Sequence, residues 1–197
     1  MDKTKILSIV FFVVAIGLAA YLIYSIRFSI TEKERIGALE ANIINQLKMI
    51  REAEVAYLAV NGQYTSDWDK LIAFVDSGNF YITERTETVF ELSYGADSIM
   101  VTIDTLGTVP VKDSIFTAAK WPKFNLQTLA IVPGVSPETR FVLWADKITK
   151  SGVDVNVIEV VNPRPVDPER KEDSERNTRK PLRFGSRTSV TVAGNWE

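Results

Sequence analysis

Asp67 and Asp69 come nearest to a chemically active pair in this sequence, two carboxylates flanking Trp68 at a spacing that could hold a hard cation. Little else supports such chemistry. The chain contains neither histidine nor cysteine. That excludes the Ser-His-Asp triad, the Cys-His pair, the zinc-peptidase histidine pair, His-ligated haem and every disulfide. Catalysis would fall to carboxylates, Lys, Tyr, Ser or Thr, and no catalytic spacing or phosphate-binding glycine loop joins them. Ser66-Asp-Trp-Asp69 also reads as a helix start, with Ser66 as cap and Asp69 in place of the capping-box glutamate. Acids in a first turn are favoured by the helix dipole. The sequence therefore argues against an enzyme, a metal and a cofactor. Trp121, Phe124 and Trp144 are aromatics that could line a small-ligand or glycan site, giving a membrane-anchored ligand-binding or sensory module as the alternative reading. Aromatics so placed also serve as core or loop anchors.

The dominant element lies upstream. Residues 6–26 form an uncharged run of 21 residues that includes Ile6, Phe11, Phe12, Leu18, Leu22 and Ile26. At about 1.5 Å per residue it covers the ~30 Å hydrocarbon core of a bilayer. Gly17-Leu18-Ala19 resembles a signal-peptide cleavage site, but the apolar run continues through Ile26, so the segment reads as an uncleaved anchor. Tyr21 and Tyr24 suit the far interface. Lys3 and Lys5 against Arg27, Lys33 and Arg35 leave the charge rule undecided. A five-residue N-terminal tail before the anchor places the N-terminus in the cytoplasm and the bulk of the chain outside the cytoplasmic membrane. Partners are then lipid and other envelope or membrane proteins, including a second copy.

The helical pattern continues past the membrane. Ile36, Ile43, Ile50 and Tyr57 recur every seven residues, and Leu39, Leu47, Ala53 and Val60 widen the row. Asn61-Gly62 stops it. Ile36, Leu39, Ile43 and Leu47 are the expected partner-contact face, because little of a domain this size reaches back towards the membrane. From Ile50 onward the helix is expected to pack on its own domain.

A short helix is expected from the Ser66 cap to the stop at Gly78-Asn79, with Leu71, Ile72, Phe74 and Val75 as its apolar face, and then the spacing becomes that of strands. Strand candidates are 80–82, 88–94, 98–103, 126–132, 141–145, 153–161 and 182–192, with breaks at Tyr94-Gly95-Ala-Asp97, Leu106-Gly107, Pro133-Gly134 and Lys150-Ser-Gly152. The alternation in 153–161 suggests a half-buried strand near an edge or end. Residues 162–181 mix both charge signs with recurrent proline and read as a mobile loop. Trp196 is either a docking tag for a partner or a pin for the tail. The expected organisation is a cytoplasmic tail (1–5), a transmembrane helix (6–27), an amphipathic and a short second helix (28–78), a β-rich domain (79–161), the charged loop (162–181) and a C-terminal strand and tail (182–197). The fold class is α+β: a long N-terminal helix packed on a small antiparallel sheet. With a net charge of −2 and a pI of about 5.4 the chain has no basic surface suited to nucleic acid.

Tyr57-Leu-Ala-Val-Asn-Gly62-Gln-Tyr64-Thr-Ser66, with Leu71 behind it, resembles the type IV pilin and pseudopilin superfamily over residues 43–75. The resemblance implies a pilin-like architecture and an assembly role. This chain lacks the prepilin leader motif and has no acidic residue between Lys3 and Arg27. Arg51-Glu-Ala-Glu-Val-Ala-Tyr57, Asn61-Gly-Gln-Tyr-Thr65, Asp69-Lys-Leu71 and Gly194-Asn-Trp-Glu197 are similar to a family of single-pass envelope proteins of Bacteroidetes-type bacteria. That similarity implies a cell-envelope setting; with the anchor reading it places the chain in the bacterial inner membrane with its bulk in the periplasm. It implies no activity. Together these readings point to a structural subunit of a secretion, pilus-like or motility apparatus.

Overall fold

The computed structural model describes residues 3–91, 97–174, 176 and 178–197. One helix, α1 (Lys3–Asn61), takes up the first 59 of them. No proline interrupts it, and Gly62 ends it at φ 72°, a left-handed conformation that a side chain would strain. At about 1.5 Å per residue the helix is roughly 88 Å long. Its N-terminal part is long and apolar enough to cross a membrane, and the rest of the chain buries none of that stretch. From Ile43 onward the same helix sinks into a folded body.

That body is α+β. Ile43, Leu47, Ile50 and Ala53 line up at helical spacing along α1 and are fully buried. They meet Leu71 and Val75 of α2 (Trp68–Ser77), Phe116, Leu129, Val132 and Phe141 of the connecting loops, and the inner face of a three-stranded sheet. Asp67, not Ser66, caps α2: its carboxylate accepts from the Asp69 N–H at 2.9 Å. The sheet runs β3 (Val142–Lys150), β4 (Val153–Val161), β5 (Arg183–Gly185), antiparallel throughout. Ser151 (φ 53°) and Gly152 (φ 80°) join the first two strands as a two-residue turn whose positive dihedrals match the strand twist. Gly185 (φ 79°) stands so close to β4 that a Cβ would lie 2.0 Å from the Ile158 carbonyl oxygen.

Several expectations give way. The alternating strand 153–161 is an edge only in its first part: β4 pairs with β3 along its length and with β5 over Glu159–Val161, and its second half from Val157 to Val160 is buried. Residues 126–132 are not a strand. The Asn125 side chain accepts from the Gln127 N–H and starts a 3-10 turn over Leu126–Thr128, leaving a single bridge, Ile131 to Arg140. The last strand is three residues, not eleven. Leu106-Gly107 is no break. A register shift between Ile82 and Thr83 absorbs one extra residue, and the strand continues to Pro110. Of the expected break at Tyr94-Gly95-Ala-Asp97, residues 94–96 lie outside the described residues, and Asp97 opens β2.

The charged segment, expected to be mobile, lies as a strap across α1. Arg170 pairs with Glu40 at 2.5 Å, both side chains nearly buried. Arg179 bridges to Asp167 at 3.2 Å and Glu169 at 2.7 Å, and Arg170 also donates to the Lys180 carbonyl at 3.0 Å. Val166 packs against the core. What composition alone misses is that one helix carboxylate, Glu40, meets the arginine-rich strand of charge. Glu40→Ala removes the carboxylate beside the Arg170 guanidinium and leaves it the Lys180 carbonyl, at a cost of about 1–3 kcal/mol. Limited trypsin digestion is expected to cut the variant at Arg170, Lys171 or Arg179 several-fold faster, with the body intact. Unchanged digestion would mean the strap is held elsewhere.

Candidate functional site

The second sheet stands apart from the body. β1 (Asn79–Glu91) and β2 (Asp97–Pro110) pair antiparallel from Asn79↔Pro110 to Glu91↔Asp97. At about 3.4 Å per residue this arm is roughly 40 Å long. Among the described residues it packs, beyond its own ladder, to any extent only on the one-turn helix α3 (Val111–Ile115) at its base. Side chains alternate across a strand, so the register assigns two faces. The odd face carries Tyr81, Thr83, Arg85, Glu87 and Val89 beside Thr105, Ile103, Val101 and Ile99. The middle of the even face is polar: Glu84 stands beside Asp104 and Thr86 beside Thr102, with Met100 and Phe90 nearer the tip.

All of residues 81–90 and 98–106 are exposed. On the odd face Ile99 is 60% exposed, Ile103 64% and Val89 59%. Apolar alternation of this kind marks a strand with one face covered, yet nothing among the described residues covers it. A two-stranded ribbon alone is marginal in water. Residues 79–110 hold five carboxylates and one arginine, net −4, while the whole chain is −2. An arm so charged is repelled by anionic lipid and by phosphate backbones.

A groove of about 730 Å³ runs along α1 between Asn42 and Met49, closed on the other side by Trp121, Val132 and Pro133. Gln46 forms part of its wall; its Nε2 donates to the Thr128 and Leu129 carbonyls at 2.8 and 3.0 Å. Lys120, at the rim, pairs with Glu52 at 3.1 Å and lies 5.7 Å from the Trp121 ring. Of the three aromatics singled out by sequence, only Trp121 lines this groove. Phe124 stacks on Phe116 at 3.9 Å, and Trp144 lies under Arg187, 5.2 Å away, so the structure gathers no aromatic ligand cage.

The most perturbed ionisable group is Glu54, fully buried in α1. Its Oε2 accepts from the Thr65 N–H at 3.2 Å and its Oε1 has no partner. Burial pushes its pKa up to about 8, against the weaker opposing pull of that hydrogen bond. Burial, and then the Glu54 charge, raise the Tyr64 hydroxyl as well. Glu54 does not line the groove. Among the described residues no three acidic groups come together to hold a metal. Asp67 spends a carboxylate oxygen on its helix cap, so the Asp67–Asp69 pair is structural.

The expected partner face on α1 is only partly available. Ile43 and Leu47 are 0% exposed in the chain's own core, so neither is a partner contact. The body reaches about three turns further towards the membrane than Ile50, because the loop at Gly134 folds back onto Leu39. Ile36 and Leu39 are half-buried. Phe11, Phe12, Leu18, Leu22 and Ile26 are all bare, as a lipid-facing segment requires; the Ile6 side chain lies outside the description. Trp196 is a pin, not a docking tag. Its indole packs on the core and against Gly194, and Glu197 accepts from Arg51 at 2.8 Å, tying the tail to α1. The arm as a projecting unit is what sequence reasoning missed. The signal was there in Ile99, Val101 and Ile103 at strict alternation, a pattern that promises a buried face without saying what buries it.

No protein-family model, curated protein or solved structure matches this chain.

Proposed function

We propose that this chain is a non-enzymatic, single-pass structural or assembly subunit of a bacterial cell-envelope machine of the secretion, pilus-like or motility kind. Residues 6–26 sit in the inner membrane, with the body and arm in the periplasm. The observation that carries the reading is the β1–β2 arm: a roughly 40 Å ribbon with a bare apolar face, borne on a body that a continuous helix joins to a membrane-crossing segment. Such a ribbon has no use in an isolated monomer and lowers solubility. The pilin-like order of elements, a long helix whose second half packs on a small antiparallel sheet, supports the same reading. In-cell photo-crosslinking from Val101 on the arm tests it. Adducts to envelope proteins or to the chain itself are expected; a probe that yields only quenched monomer removes the reading.

The groove beside Trp121 favours a second reading, a membrane-anchored ligand-binding module. Soluble envelope-glycan fragments then raise the melting temperature of the full chain in detergent, and Trp121→Ala abolishes the shift. No shift with the unaltered chain ends that reading.

A further inference from the structure

We propose that the odd face of the arm is a self-recognition surface, on which the arm of a second copy packs antiparallel about a two-fold axis passing between Arg85 and Glu87. The inference rests on the assembly-subunit reading and names its partner.

Arg85 and Glu87 are the only charged residues between positions 80 and 90 of the odd face, they are two residues apart on one strand, and they pair with each other at 2.7 Å while remaining exposed. A two-fold axis perpendicular to the strands and midway between them places Arg85 of each copy over Glu87 of the other. That ion pair forms twice, once on each side of the axis, and neither Arg85 nor Glu87 is left facing an apolar group. An axis along the strands would instead set Arg85 over Ile103 and Glu87 over Val101, covering two charges without partners. The sequence of the face therefore selects one of the two symmetric packings.

The same axis orders the rest. Opposite residue 86 on β2 is Thr102, so Ile103 of one copy lies over Val101 of the other, twice, and Ile99 lies over Thr105. These are the β-branched contacts that two packed sheets use, at about 10 Å separation. The acidic tips point opposite ways. Glu91 of one copy stands ten residues along the ribbon from Glu91 of the other, about 34 Å, well past the ~8 Å over which salt screens charge. An arm of net −4 thus pairs with its own kind without meeting its own sign. The polar even face, with Glu84 beside Asp104, stays in water.

Area sets the strength. Overlap of two ribbons covers roughly 400 Å² per copy, about 800 Å² in all, short of the ~1,000 Å² that a free-standing interface needs. Pairing is therefore weak between detached molecules. Anchoring both copies in one membrane raises their effective concentration and makes it count.

The absence of cysteine gives a clean test in the full chain in its native membrane. Val101→Cys, treated with a bismaleimide of about 10 Å reach, is expected to yield a dimer. Adding Arg85→Glu sets like charges over each other across the axis and lowers the dimer yield at least fivefold. Adding Glu87→Arg to that variant restores it, because the exchange is symmetric. Thr86→Cys, on the even face, cross-links at least fivefold less than Val101→Cys. Every one of these positions is exposed, and equal melting temperatures confirm that the body is unchanged. Undiminished dimer with Arg85→Glu, no rescue by the double exchange, or equal yield from Thr86→Cys overturns the proposal. Adducts of Val101→Cys solely to other proteins overturn self-pairing while leaving the assembly-subunit reading in place. No adduct of any kind removes both.

Discussion

Raising the pH from 5 to 9 destabilises the folded body by on the order of 3–5 kcal/mol, and Glu54→Gln removes most of that loss. The cause is burial. Glu54 carries a proton in the folded state up to about pH 8, whereas in the unfolded chain it ionises near its ordinary value of 4.5. Between those limits the native state binds more protons than the unfolded one, so stability falls as pH rises. The contribution is whole below about 4.5 and gone above about 8. Glu32 and Glu197 act in the opposite direction and in another window. A hydrogen bond from Arg35 holds the first carboxyl low and one from Arg51 the second, so what they add is lost only as pH falls below the usual carboxylate range. Thermal unfolding of the full chain in mild detergent at pH 5, 7 and 9 reads the effect as a melting-temperature drop of roughly 10 °C. The Gln variant gives a nearly flat profile. An equal slope in both proteins would mean that Glu54 is not the titrating group.

Leu47→Ala and Ile43→Ala each cost about 2–5 kcal/mol, while Ile36→Ala costs less than about 1 kcal/mol. Leu47 and Ile43 are fully buried among Ile50, Leu129 and Phe184, and truncation there removes apolar burial and leaves a cavity. Ile36 lies one turn beyond the body and is half-exposed. All three share one seven-residue stripe on α1, so the contrast separates a domain core from a partner surface along a single helix face. Denaturant midpoints of the three variants supply the measurement. Equal, small losses at all three would restore the whole stripe as a partner contact.

The membrane-crossing stretch, α1, α2 and the α+β class are legible in the sequence because they rest on local signals: an uncharged run of 21 residues, heptad isoleucines, and Asn61-Gly62 as a stop. What escapes is what non-local contact decides. The stripe through Ile36, Ile43 and Leu47 is continuous, and only the folded loop at Gly134 marks where the body ends along it. The strap across α1 has the composition of a free loop, and it is the single carboxylate of Glu40 that gives Arg170 an anchor. Trp196 reads equally as tag or pin until Gly194 and Arg51 are seen beside it. The arm failed for a different reason. Its strands alternate as a covered sheet does, and Thr83, Glu84 and Arg85 interrupt the pattern where the ribbon leaves the body, so the sequence breaks it into pieces that the ladder joins.

The central claim is that the arm serves assembly and contributes nothing to the body's own stability. Replacing residues 82–107 with a short Gly-Ser turn tests it most directly, with two readings from the same full-length, membrane-anchored variant. Melting temperature within about 2 °C of the parent, together with loss of every higher-mass species on native electrophoresis of the solubilised membrane, is the predicted result. A body that unfolds without its arm, or complexes that persist without it, would contradict the account.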